Sequence, residues 1–256
     1  MFIKYVSIDG ADDAVDPKQM LALSERFKFI EWGILLSPKK EGVDRFPTLK
    51  WVRSLEGLNL NLCAHLCGKY VADIVKDEKS MRSCTILQEP YSLLFNRYQL
   101  NMTKKRLGKS LLDRDLFTRL AQFRNCLTPF IFAGDYVKLK YVLGWFHDFG
   151  CVFPLYDASG GHGVPTEWLP PFKGVLTGYA GGLRAENIVD YLDMMVDRLE
   201  MVKEDNDPPA NIWIGSESGV RDEANKFSLE RAEALLTRVD LWMAHKVRSY
   251  GEVVSK

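Results

Sequence analysis

The chain has little of what would tie it to a nucleic acid, a membrane or a disulfide framework. Net charge is zero, with 34 Lys and Arg against 34 Asp and Glu in 256 residues. A broad nucleic-acid-binding face needs a positive excess, so none is expected, and only a local basic pocket stays open. No apolar run approaches the roughly 20 residues a helix needs to cross a bilayer, so no membrane partner is expected. Met1-Phe2-Ile3-Lys4 enters a strand-like segment without the shape of a signal peptide, which points to a cytoplasmic location. The five cysteines (Cys63, Cys67, Cys84, Cys126 and Cys151) are odd in number, scattered and mostly set in apolar runs. Reduced thiols are the reading they support. No second Cys/His pair stands at zinc-like spacing from Cys63-Ala64-His65-Leu66-Cys67, so no metal is expected and His65 reads as a buried histidine. Low-complexity tracts and linkers are also missing, which makes residues 1–256 one domain.

Apolar runs that end in small or charged residues are abundant. Cys151 to Tyr156 leads into Asp157 and then the glycine-rich Ser159-Gly160-Gly161-His162-Gly163. Gly174 to Tyr179 leads into Ala180-Gly181-Gly182-Leu183, and Asn211 to Gly215 leads into Ser216-Glu217-Ser218-Gly219. A buried strand that stops at such a sequence delivers a charged group and a close-approaching backbone to the end of a sheet. Five more strands are expected upstream: Ile3 to Ile8, Ile30 to Leu36, Leu58 to Leu66, Asn96 to Leu100 and Pro129 to Ala133.

Helical periodicity fills several of the gaps. Asp16-Pro17 is a helix start, followed by Met20, Leu21, Leu23 and Phe27. After Gly182, apolar residues recur at steps of three and four from Ile188 to Val202. Ser228 caps a further pattern of Leu229, Ala232, Leu235, Leu236 and Val239. Between Lys69 and Phe95 no period stands out, and the Lys104-Lys105-Arg106 cluster reads as a solvated helix face. Strand and helix alternating eight times is the pattern of an α/β protein built as a single (β/α)8 TIM barrel, with its ligand site at the C-terminal face of the strands. Strand exits then form the candidate list, including Asp9, Arg45, His65, Gln99, Asp157, Gly181-Gly182 and Ser218-Gly219.

These exits resemble phosphoribosylanthranilate isomerases. The resemblance runs through Ser7-Ile8-Asp9-Gly10, Ser37-Pro38, Gln99-Leu100, Leu155-Tyr156-Asp157 with Gly160-Gly161-His162-Gly163, Ala180-Gly181-Gly182-Leu183 with Glu186-Asn187, and Ser218-Gly219-Val220. It implies an Amadori-type aldose–ketose isomerisation of a phosphoribosyl-amine compound. Asp157 stands at the family's acid position, and Asp9 replaces the cysteine that serves as base. Phosphate would lie against Gly181, Gly182, Ser218 and Gly219, the Gly160–Gly163 loop would meet the sugar, and Arg45 would hold a substrate carboxylate. His65, Gln99 and Glu217 are further candidates, Glu217 needing Arg221 or Arg184 to offset its charge beside a phosphate. No cofactor is implied. The ligand is a small phosphorylated molecule, and monomer and homodimer both stay open.

Each candidate has a plainer reading. Asp9-Gly10 is also an ordinary turn pair, Asp157 would cap a turn, and the glycines would permit tight turns. Loss of the cysteine, Asn101-Met102 after the fourth strand, and Glu217 itself favour the alternative of a non-catalytic barrel that binds or sequesters a nucleotide or sugar phosphate.

Overall fold

The computed structural model describes residues 1–102, 109–110, 112–123, 128–157, 168–202, 204 and 209–254. Eight strands are present: β1 (Phe2–Asp9), β2 (Ile30–Leu36), β3 (Leu62–Leu66), β4 (Arg97–Leu100), β5 (Phe130–Gly134), β6 (Val152–Tyr156), β7 (Thr177–Ala180) and β8 (Asn211–Ser216). Each pairs in parallel with the next, and β8 pairs with β1, closing a barrel. Closure removes the exposed edges an open sheet would leave.

Side-chain alternation sorts every strand into two faces. The outward set includes Val6, Ile8, Ile34, Phe130 and Ile214, and it belongs to the large apolar layer beneath the helices. The inward set is separate, and its apolar members Cys63, Ile131, Leu155 and Trp213 form a small cluster inside the barrel. This two-sided burial is why the strands read as near-continuous apolar runs.

Eight α-helices lie among the described residues: α1 (Pro17–Arg26), α2 (Leu49–Arg53), α3 (Lys69–Lys76), α4 (Glu78–Arg82), α5 (Arg114–Gln122), α6 (Tyr136–Phe149), α7 (Ile188–Val202) and α8 (Leu229–Val254). The expected caps form. Asp16 Oδ1 accepts from Lys18 N at 2.9 Å, and Ser228 Oγ accepts from Arg231 N at 3.2 Å. The expected faces are buried too: Ile188, Leu192 and Met195 on α7, and Ala232, Leu235, Leu236 and Val239 on α8.

Several expectations are refined. Among the described residues β3 is followed by two helices and β6 by none. The stretch Lys69 to Phe95, silent in the sequence, makes α3, which buries Tyr70, Val71 and Ile74 on one face, and then α4 and two 3-10 turns (Thr85–Leu87 and Tyr91–Leu93), which are too short to show a period. β3 begins at Leu62 rather than Leu58, because Asn59 adopts φ 51 and turns the chain before it can pair. β7 likewise begins at Thr177, since Gly174 sits in a turn. Lys104-Lys105-Arg106 lies outside the described residues.

Candidate functional site

A cavity of about 850 Å³ opens at the carboxyl ends of the strands and reaches down into the barrel. Parallel strands bring all their carboxyl ends to one face, so groups far apart in sequence meet there. Asp9, Arg45, His65, Gln99, Asp157, Gly181, Gly182, Glu217 and Ser218 all line it. Gly219 does not. It borders a neighbouring hollow of about 230 Å³, together with Gly182, Ser218 and Arg231. A Cβ on Gly219 would lie 1.8 Å from the Leu183 carbonyl oxygen, so close packing of the β7 and β8 exits already accounts for this glycine. Gly181 and Gly182 have φ of 114 and 65, which only glycine adopts without strain. Gly160, Gly161, His162 and Gly163 lie outside the described residues.

Asp9 is the centre of the site. It ends β1 pointing inward and is buried, with Oδ1 accepting from Ser7 Oγ at 2.6 Å. Nε2 of His65 on β3 stands 3.8 Å from the same oxygen. Room for this pair comes from the strand between them. A Cβ on Gly33 of β2 would sit 2.1 Å from Asp9 Oδ1 and 2.8 Å from His65 Nε2. Burial raises the Asp9 pKa to about 7; the Ser7 bond opposes that rise and nearby Glu31 adds to it. Burial also lowers His65 to about 4, so at neutral pH the imidazole is neutral and Asp9 is poised between its two forms. Among the described residues no group of three or more His, Cys, Asp and Glu is placed to hold a metal ion.

Beneath Asp9 lies an ion pair that sequence reasoning missed. Arg97 donates through Nε and Nη2 to both Glu31 oxygens, at 2.8 and 2.5 Å, deep in the barrel. Its guanidinium lies over Trp213 at 4.5 Å and Tyr5 at 5.0 Å from the ring centroids. Both charges were visible as interruptions of apolar strands, and inward parity with Gln99 and Gly33 is the signal that would have found them. Lys138 pairs with Asp135 at the rim, and both line the cavity.

Arg45 departs from the role expected of it. Its Nη1 donates to Glu217 Oε1 at 2.6 Å and its Nη2 to Asn225 Oδ1 at 3.0 Å, so the guanidinium is engaged within the protein. The backbone holds it there. Arg45 adopts φ 66, and its N–H donates to Asp12 Oδ2 at 2.7 Å. Glu217 is therefore offset first by Arg45 and to a lesser extent by the expected Arg221, and not by Arg184, which lies beside Glu186 at 3.7 Å. Burial still raises the Glu217 pKa, and the Arg45 charge works against that rise. Asp157 follows β6 directly, with its N–H donating to the Gly134 carbonyl at 3.2 Å. Gln99 turns inward on β4, donating to Asn101 Oδ1 at 2.8 Å.

Such an arrangement can move protons. It offers one buried carboxyl near neutrality, a second carboxyl at the rim, and glycine backbone without side chains at the β7 exit.

The fold is shared with known enzymes. The phosphoribosyl anthranilate isomerase of Thermus thermophilus matches with a TM-score of 0.53 and 16% identity, over 92% of this chain and 98% of that one. The phosphoribosyl anthranilate isomerase of Thermotoga maritima matches with a TM-score of 0.50 and 13% identity, over 93% and 99%. A truncated 3-deoxy-D-arabino-heptulosonate 7-phosphate synthase of Thermotoga maritima matches with a TM-score of 0.52 and 6% identity, over 96% and 88%. At such identities the likeness shows the (β/α)8 barrel and nothing finer. No protein-family model and no curated protein sequence matches the chain.

Proposed function

We propose that the chain is an Amadori-type aldose–ketose isomerase acting on a phosphorylated aminoaldose, with Asp9 as base and Asp157 as acid. The observation that carries this reading is the buried Asp9 carboxyl, raised to about 7 and facing the same cavity as Asp157. A base works best when its pKa lies near the working pH. In the reaction Asp157 gives a proton to the ring oxygen, and the bond from that oxygen to C1 breaks as the nitrogen lone pair forms C1=N. Asp9 takes the proton from C2, and the C–H electrons form C1=C2 while the C1=N electrons return to nitrogen. The 2-hydroxyl then loses its proton and C1 gains one, leaving a ketone. Product and substrate are isomers, so nothing is oxidised overall. Phosphate is assigned to the Gly181-Gly182 and Ser218 exits, where barrels of this class bind it by backbone N–H groups.

A second reading is a barrel that holds such a ligand unchanged. The occupied cations Arg45, Arg97 and Lys138 favour it, since each is already bound to a carboxylate. One experiment separates the two. Ribose 5-phosphate adducts of aniline and of anthranilate are incubated with the protein, and the aminoketose is followed by mass spectrometry and NMR. The isomerase reading expects turnover that falls about 10²- to 10⁴-fold in Asp9→Asn and in Asp157→Asn. Adduct bound tightly and recovered unchanged selects the holding protein, and no binding of either adduct overturns both readings.

A further inference from the structure

Several charges around the cavity mouth are already paired within the protein. Arg45 is bound to Glu217 and Asn225, Lys138 to Asp135, and Asp44 to Lys226. Lys40 lies over the Phe46 ring, 4.8 Å from its centroid. Against this, two carboxylate oxygens have no hydrogen-bond donor among the described residues. They are Glu217 Oε2, whose partner oxygen holds Arg45, and Asp9 Oδ2, whose partner oxygen holds Ser7. The two carboxylates lie close enough to raise the energy of each other's charge. Deeper in the cavity Arg97 Nη1 is a buried donor without an acceptor among the described residues, but at the mouth a ligand beside Glu217 meets an acceptor, and an incoming carboxylate would be set against it at short range. An incoming N–H cation could bond Oε2 while Arg45 keeps Oε1.

We infer that Glu217 is the specificity-determining residue of this cavity, and that the group it receives is a nitrogen cation: the substrate is a phosphorylated glycosylamine bearing an amine or amidine, not a carboxylate. The inference rests on the sugar-phosphate reading above and narrows it. Glu217 works through its position beside Asp9, between the β1 and β8 exits, and Arg45 holds its carboxylate in place. Arg45 thus serves the protein's own anion instead of the ligand's.

The test uses two unreactive probes made by reductive amination of ribose 5-phosphate, one with 2-aminobenzoate and one with 2-aminobenzamidine. They have the same shape and differ in the sign of one charge. Calorimetry gives the affinity ratio for the full chain, for Glu217→Gln and for Glu217→Ala. Close charge pairs at an interface couple strongly enough that the wild type should prefer the amidine at least about tenfold. Both variants should lose that preference or reverse it, because Arg45 is then released toward the ligand. A folding defect would weaken both probes together and would not move the ratio, so two variants and a ratio keep the outcome readable. Equal affinity of the wild type for the two probes, or a ratio untouched by both substitutions, overturns the assignment of Glu217. Ribose 5-phosphate binding alongside those results would leave the sugar-phosphate reading standing, and no binding of ribose 5-phosphate or of either probe would overturn both.

Discussion

The two halves of the barrel interior are built from different materials. From β1 to β4 the inward residues that line the cavity include Ser7, Asp9, Glu31, His65, Arg97 and Gln99. From β5 to β8 they are Ile131, Ala133, Leu155, Ala180, Trp213 and Gly215. Both halves follow the same alternation and the same parallel register, so geometry does not explain the difference. A barrel interior filled only for stability uses branched apolar side chains in layers. Burying charge costs free energy that pairing only partly offsets, so the β1–β4 half carries its polar groups within the barrel, while the β5–β8 half is apolar inside and presents Asp157 and Glu217 just past its strand ends. Each half even has its own space-making glycine. Gly33 leaves room for Asp9 and His65, while a Cβ on Gly178 would lie 2.2 Å from Trp213 and 2.7 Å from Leu155.

The largest break in this contrast comes from the buried pair. Arg97→Ala leaves Glu31 charged and unpartnered, and urea unfolding should show a loss of about 3–5 kcal/mol. The double change Glu31→Leu with Arg97→Met should recover most of it, converting the polar half toward the character of its neighbour.

Next in size is the pH dependence. The Asp9 pKa of about 7 is raised above its ordinary 3.8, so the folded state holds a proton that the unfolded chain releases. This contribution is complete below about pH 4 and is lost as pH rises to about 7, by up to roughly 4 kcal/mol. His65, lowered to about 4, acts in the opposite direction, losing stability as pH falls from about 6.5 to 4. The wild type should therefore show a shallow profile between pH 4 and 6.5. Asp9→Asn should leave stability rising with pH over that window, and His65→Asn should leave it falling. Denaturation midpoints across pH check both slopes.

Matched glycine substitutions sharpen the comparison further. Gly33→Ala and Gly178→Ala should each cost about 1–3 kcal/mol by overpacking. Only Gly33→Ala should also shift the pH profile, because only its Cβ strikes titrating groups. Smallest of all is the rim. Glu217→Gln should change stability by about 1 kcal/mol or less, since both Arg45 and Glu217 remain about one-third exposed.

Much of this was legible beforehand. Eight apolar runs with charged or glycine-rich exits identified a parallel barrel, because strands buried on both faces lack any competing pattern. Asp9, His65, Gln99, Asp157, Gly181, Gly182, Glu217 and Ser218 were marked by lying at or just past strand ends, and the closed barrel carries all of them to one cavity. Gly219 was marked by the same rule, but the backbone of Leu183 claims it. Arg45 was also on the list, although its expected carboxylate turned out to be the chain's own Glu217.

The linear order of residues determined the alternation, the caps at Asp16 and Ser228, and which residues reach the strand ends, because these depend on neighbours within a few positions. What only the tertiary structure decided was pairing and burial. Glu31 and Arg97 stand 66 residues apart and look like two unrelated blemishes in apolar strands until closure sets them within hydrogen-bonding distance. Asp9 is an ordinary aspartate by sequence. Its pKa near 7 exists because the closed barrel, with Gly33 and Gly215 packed beside it, buries it away from water and outweighs the opposing Ser7 bond, and desolvation is a property of the assembled barrel, carried by no single residue.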